Sequence, residues 1–128
     1  MSKRKGCNAE RELLHMFFNA GWVCIRAAGS GSIPLPNPDL LAGKSGKLLA
    51  IECKFVKGNA KYLKEQEIKD LVKFARKIGA RPLIGLKFSN KGWYFVSPKL
   101  LKKKKNSYAI SYETAKEKGL NFKSLLKI

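Results

Sequence analysis

The chain has 128 residues, 45% of them hydrophobic, with 27 lysines and arginines against nine aspartates and glutamates, a formal net charge of +18. Such a length builds one compact domain over residues 1–128, and no stretch approaches the roughly 18 apolar residues that a membrane span requires. So basic a composition speaks for a polyanionic partner such as nucleic acid, and against an anionic membrane surface, because no basic amphipathic helix carries a clean aromatic or leucine face.

The amino terminus, "MSKRKGCNAERELLHMFF", starts basic but meets Glu10, Arg11 and Glu12 before any apolar run, which is not the pattern of a signal peptide. Cys7, Cys24 and Cys53 are too few and too scattered for a metal knuckle or a disulfide framework. Cys24 and Cys53 sit in apolar runs as small core residues. A soluble protein of the reducing cytoplasm is expected.

Residues 9–20, "AERELLHMFFNA", read as a helix capped by Asn8 and stopped by Gly21. Leu13, Leu14 and Phe17 follow Glu10 at helical spacing, so this carboxylate shares the apolar face, while Arg11 and His15 point elsewhere. "WVCIRA" (22–27) is a short strand. The loop 28–38 joins a flexible Gly-Ser half to an extended half held by Pro34, Pro36 and Pro38. Strands over 39–43 and 47–54 pair about the turn "KSG".

Residues 64–79 form an amphipathic helix that turns Ile68, Leu71, Val72, Ala75 and Ile78 inward. Phe74 lies beside that stripe and reads as core, with a role against a partner subunit as the alternative. Two more strands follow, 81–88 and 92–96, around "SNK". The order helix, three strands, helix, two strands predicts an α/β fold with a mixed central β-sheet flanked by helices. Beyond Pro98 the pattern weakens to a solvated lysine run at 102–105, a last strand in "YAISYE" and a short closing helix in "LNFKSLLKI".

The acids carry the chemistry. In a strand, Glu52 and Lys54 project together, with Ile51 and Cys53 on the other face. Asp39 opens the preceding strand directly after Pro38, and pairing about "KSG" brings Asp39 and Glu52 to the same end. Unpaired carboxylates in apolar surroundings are costly, and a divalent cation is the standard remedy; oxygen ligands suit Mg²⁺ or Mn²⁺ rather than zinc. The chemistry that needs two carboxylates and an ammonium at one point is phosphodiester hydrolysis. Glu10, on the inner face of the first helix, completes the metal shell or positions a second ion. A second Glu-x-Lys, Glu67 to Lys69, falls in a helical pattern, where residues two apart do not face each other, and reads as a solvated face.

Pro38-Asp39 followed by Glu52-x-Lys54 on the next strand resembles the PD-(D/E)xK nuclease pattern. Together, "KGCNAERELL", "IRAAGSG", "PDLLAG", "AIECK" and "KGWYFV", in that order over roughly residues 5–98, resemble the archaeal Holliday-junction resolvase family and its viral relatives. The resemblance implies a restriction-endonuclease-like fold, a homodimer, Mg²⁺ dependence with Mn²⁺ able to substitute, and paired nicks across a four-way DNA junction in recombination and repair. It also implies catalytic roles for Glu10, Asp39, Glu52 and Lys54, with Glu10, Asp39 and Glu52 on the metal. Ser30 matches a serine that the family uses near the scissile phosphate, and Arg11, Arg26 and Lys87 match basic positions that hold DNA. The proline-rich insertion between Ser30 and Asp39 departs from the pattern and alters how that loop meets DNA. Two other readings remain at this point: a PD-(D/E)xK nuclease acting on simpler DNA, and a non-catalytic basic nucleic-acid-binding protein, which explains the charge but not the inward acids.

Overall fold

The computed structural model describes residues 3–27 and 36–128. Ser30 and the Gly-Ser half of the 28–38 loop lie outside the described residues.

The first helix, α1, spans Lys3–Asn19 and leads into β1, Val23–Arg26. α1 starts earlier than the capping signal predicts, so Asn8 lies inside it rather than at its end. The lysines and arginine ahead of Asn8 are good helix formers, and Ala9 is buried while Lys5 lies 5.5 Å over the Phe55 ring, which seats this first stretch on the sheet. β2 (Leu40–Lys44) and β3 (Lys47–Val56) form the expected hairpin. Ser45 and Gly46 both take positive φ, 50° and 83°, the conformation that lets a two-residue turn follow the twist of its strands.

A strand that the sequence reading did not assign, β4 (Ala60–Lys64), comes next, and Lys64 caps α2 (Glu65–Ile78). β5 (Arg81–Phe88) and β6 (Gly92–Val96) match the expected strands. A 3₁₀ turn over Pro98–Leu100 leads to β7 (Lys102–Lys103), β8 (Ser107–Ser111), α3 (Tyr112–Lys118) and α4 (Phe122–Leu125). The lysine run is therefore part of a strand pair, although its side chains stay exposed. "YAISYE" does not continue as a strand because Ser111 caps a helix, its hydroxyl accepting from the Thr114 N–H at 3.1 Å.

The strands form two sheets. The larger is ordered β1-β2-β3-β5-β6, with only β3 and β5 parallel, and α2 lies in the crossover between those two. The smaller is ordered β4-β8-β7. On one face of the large sheet, Leu13 and Phe17 of α1 and Leu125 of α4 pack on Leu49, Ile51, Cys53 and Phe95. On the other face, Ile68, Leu71 and Ala75 of α2, with Leu63 and Ile110 of the small sheet, pack on Ala50, Val56, Ile84 and Leu86. The fold is thus the expected mixed sheet flanked by helices. Phe74 is half-buried against the α2 core, whereas Ile78, expected inward, is 42% exposed at the last turn of the helix. Among the described residues no helix is long and apolar enough to cross a membrane.

Candidate active site

β3 alternates by the rule of strands: Leu49, Ile51 and Cys53 enter the α1 core while Ala50 and Val56 enter the α2 core. Glu52 and Lys54 occupy the α2-facing row between Ala50 and Val56. Two ionisable groups thus interrupt an otherwise apolar row in a central strand, with side chains only 16% and 19% exposed.

Asp39 stands one residue before β2. The register pairs Leu40 with Ile51, which sets Asp39 against Glu52 at the end of the ladder. There the Asp39 side chain stands in for a backbone carbonyl: its Oδ2 accepts from the Cys53 N–H at 2.8 Å. A buried N–H needs such a partner, so one carboxylate both ends the β2–β3 ladder and is oriented by it. The Asp39 carbonyl in turn accepts from the Ala27 N–H at 3.0 Å, tying the same point to the end of β1.

Lys54 Nζ lies 2.5 Å from Glu67 Oε2 and 3.9 Å from Glu52 Oε2. Glu67, read from sequence as part of a solvated face, instead turns in toward the sheet. The signal was present: Glu67 precedes Leu71 by four residues, the same spacing that put Glu10 on the face of Leu14. On α1, Glu10 Oε1 accepts from Arg26 Nε at 2.8 Å, with side chains 17% and 22% exposed. Glu12, which the sequence reading gave no role, accepts through one oxygen from Lys87 Nζ at 2.7 Å and from Trp93 Nε1 at 2.6 Å. Arg11 is exposed.

The electrostatics follow from this crowding. Burial, first, pushes the Glu52 carboxyl well above the ordinary range, and the Asp39 charge adds to it. Burial likewise raises Asp39; the Cys53 N–H opposes that shift, and the Glu10 charge reinforces it. For Lys54, burial alone would favour loss of the proton, but the hydrogen bond and charge of Glu67, then Glu52 and Asp39, hold its pKa above that of an ordinary lysine. Burial pushes the Cys53 thiol up as well, in keeping with a core residue rather than a reactive one.

The structure therefore brings Glu10, Asp39, Glu52 and Lys54 into one electrostatic cluster, with Glu67 added. It pairs Arg26 with Glu10 and Lys87 with Glu12 rather than leaving either cation to solvent alone. Among the described residues no three His, Cys, Asp or Glu side chains are arranged to hold one ion together; Arg26 pairs with the Glu10 carboxylate, and Lys54 lies against Glu52 and Glu67.

Comparison with known proteins gives a consistent answer. The family model described as "Archaeal holliday junction resolvase (hjc)" matches residues 1–128. The chain is 41% identical over 108 residues to the crossover junction endodeoxyribonuclease Hjc of Archaeoglobus fulgidus, covering 84% of this chain and 79% of that one. It is 34% identical over 107 residues to the protein of the same name from Methanocaldococcus jannaschii, covering 84% and 76%. A solved structure of Archaeoglobus fulgidus Hjc, described as a Holliday junction resolvase, superposes with a TM-score of 0.86 over 96% of each chain at 33% identity. The described architecture is accordingly restriction-endonuclease-like, and the chain belongs to the archaeal Holliday junction resolvase family.

Proposed function

We propose that the chain resolves four-way DNA junctions as a divalent-metal-dependent endonuclease, nicking two equivalent strands as a homodimer. The observation that carries this reading is the Asp39–Glu52–Lys54 cluster: two buried carboxylates, both with raised proton affinity, beside an ammonium on the strand row of Glu52. The relatives named above as crossover junction endodeoxyribonucleases supply the substrate class.

The donor set fits a hard cation. Asp39 and Glu52 offer only oxygen, and each is destabilised as an anion in the absence of positive charge, so Mg²⁺ or Mn²⁺ suits the pair better than zinc. Asp39 and Glu52 would hold the ion, with Glu10 facing them from α1. When bound, such an ion polarises a phosphate oxygen and lowers the pKa of a water.

Hydrolysis forms one bond from a water oxygen to phosphorus and breaks one bond from phosphorus to a sugar oxygen. Lys54 donates N–H to the non-bridging oxygens, where negative charge accumulates in the transition state. The Cys53 N–H keeps the Asp39 carboxylate aimed, and Arg26 keeps Glu10 from drifting. Ser30 matches the serine that the family uses near the scissile phosphate. Arg11 and Lys87 hold the sugar–phosphate backbone, and shape rather than base identity sets the choice of DNA. Two sites related by a twofold axis meet the two equivalent strands of the junction.

The test is cleavage of a labelled four-way junction with Mg²⁺, beside a linear duplex of the same sequence, for the wild type and Asp39→Asn. Paired symmetric nicks confined to the junction and lost in the variant are expected. Binding that is equal in both proteins, indifferent to Mg²⁺ and never followed by cleavage would replace this reading with that of a basic binding module.

A further inference from the structure

Glu67 divides its carboxylate between two tasks. One oxygen, Oε1, accepts from the backbone N–H of Lys64 at 3.2 Å, closing the first turn of α2. The other, Oε2, accepts from Lys54 Nζ at 2.5 Å. A helix cap needs only the first contact. The second crosses from α2 to β3 and ends on an ammonium that lies 3.9 Å from Glu52.

The other carboxylates near the start of α2 behave differently. Glu65 pairs with Lys69 and Lys103 at the surface, and Asp70 accepts from Gln66. Within this turn, Glu67 is thus the acid directed at the cluster, and its side chain is 29% exposed, so the contact is not a fully solvated one.

We infer that Glu67 is a positioning residue for the cleavage step: it fixes the tip of Lys54 where the scissile phosphate arrives. This inference rests on the nuclease reading above. Lysine carries a flexible four-carbon stem with three N–H donors and no preferred fork geometry. Lys54 starts from a rigid central strand, but its ammonium is free to sweep unless something holds it. Glu67 supplies the hold from a helix that is itself locked by its cap and by Ile68, Leu71 and Ala75 in the core. One N–H goes to Glu67, and the others are left to point toward the Glu52 side, where the phosphate would sit. The ion pair thereby converts a mobile cation into a preorganised donor, which is the property that transition-state stabilisation requires.

The consequence is a separation between binding and chemistry. Glu67→Gln keeps an oxygen for the Lys64 N–H and has comparable helix propensity, so the cap and the fold should survive. It also removes a negative charge from a surface that meets phosphates, so junction affinity should hold or rise. The rate at saturating junction should nevertheless fall, because a neutral amide holds an ammonium less firmly than a carboxylate does.

The experiment uses the full chain as wild type, Glu67→Gln and Glu67→Ala. Single-turnover cleavage of a labelled four-way junction in Mg²⁺ is compared with equilibrium binding of the same junction without metal, with thermal melting, and with the ¹⁵N–¹H signal of the Lys54 ammonium. The expected result for Glu67→Gln is a tenfold or greater loss of rate, unchanged melting, equal or tighter binding, and faster solvent exchange at the Lys54 ammonium. Glu67→Ala should lose the same rate and melt lower, because it also loses the cap. A Glu67→Gln rate within twofold of the wild type would overturn the inference. So would a rate loss that merely tracks lower melting and weaker binding, since that is the signature of a cap alone. A wild type that leaves junctions intact would overturn the nuclease reading itself, and this inference with it.

Discussion

The Cys53 N–H donates to Asp39 Oδ2 over 2.8 Å, so a side chain at the end of one strand completes the hydrogen bonding of its neighbour. Asp39→Asn retains a carbonyl oxygen for that N–H and removes a buried charge. Asp39→Ala leaves the N–H without its partner, at a cost on the order of 1–3 kcal/mol. In metal-free buffer, Asp39→Asn is expected to melt at or above the wild type, and Asp39→Ala clearly below Asp39→Asn. Chemical denaturation of the three proteins checks this. Equal stability of the two variants would show that the side-chain bond carries no weight in the fold.

The metal-free protein should lose stability as pH rises. Burial first, then neighbouring charge, raises the folded-state pKa to about 6 for Asp39 and about 8 for Glu52, above their ordinary values of 3.8 and 4.5. The folded protein therefore binds more protons than the unfolded chain between the ordinary and the raised values. The contribution of the pair is fully present below the ordinary values and is lost as pH rises through the raised ones. Melting in EDTA from pH 5 to 9 should show a falling midpoint, flattened at its upper end by Glu52→Gln. Millimolar Mg²⁺ should offset the fall by binding the folded anions. A midpoint in EDTA that rises with pH over this window would contradict the assignment of buried carboxylates with raised pKa values.

Arg11 and Arg26 should separate by phenotype although both are basic. Arg11 is exposed, so Arg11→Ala should weaken junction binding and reduce the slope of log affinity against log salt by about 0.9, the value for one phosphate contact. Its rate at saturating junction should be near that of the wild type. Arg26 is bonded to Glu10 at 2.8 Å, so Arg26→Ala releases a carboxylate that is 17% exposed. That variant should lose cleavage at saturating junction as well as affinity. Binding isotherms at several salt concentrations, paired with single-turnover rates, distinguish the two; identical behaviour would mean that Arg26 acts only as a phosphate contact.

Much of this site was legible in the chain because its geometry is short-range. Glu52-x-Lys54 needs only the two-residue period of a strand, and Asp39 needs only the hairpin whose turn residues are Ser45 and Gly46. The strands of the large sheet followed from the same local rules, and β5 and β6 matched their expected limits. What was not legible depends on contacts between elements. No local pattern announces β4, whose residues alternate weakly and which exists because β8 pairs with it from far along the chain. The direction of Glu67 was missed because the Glu-x-Lys spacing was judged within its helix, while the cation it meets, Lys54, is on a strand. The Arg26–Glu10 and Lys87–Glu12 pairs were missed for the same reason: each joins a helix to a strand distant in sequence.

The small sheet places a demand on the far end of the chain. Lys64 is at once the last residue of β4, paired with Ser107 of β8, and the cap of the helix that carries Glu67. The segments that carry the family resemblance end at residue 96, yet the strand that seats this helix is paired by residues 107–111. A gene fragment trimmed to its recognisable motifs would thus keep each catalytic letter and lose the brace beneath one of them. Sequence drift or a reading-frame error in the lysine-rich tail is for this reason a change to the active site at second hand, and shortened variants should be judged by whether they retain a partner for β4.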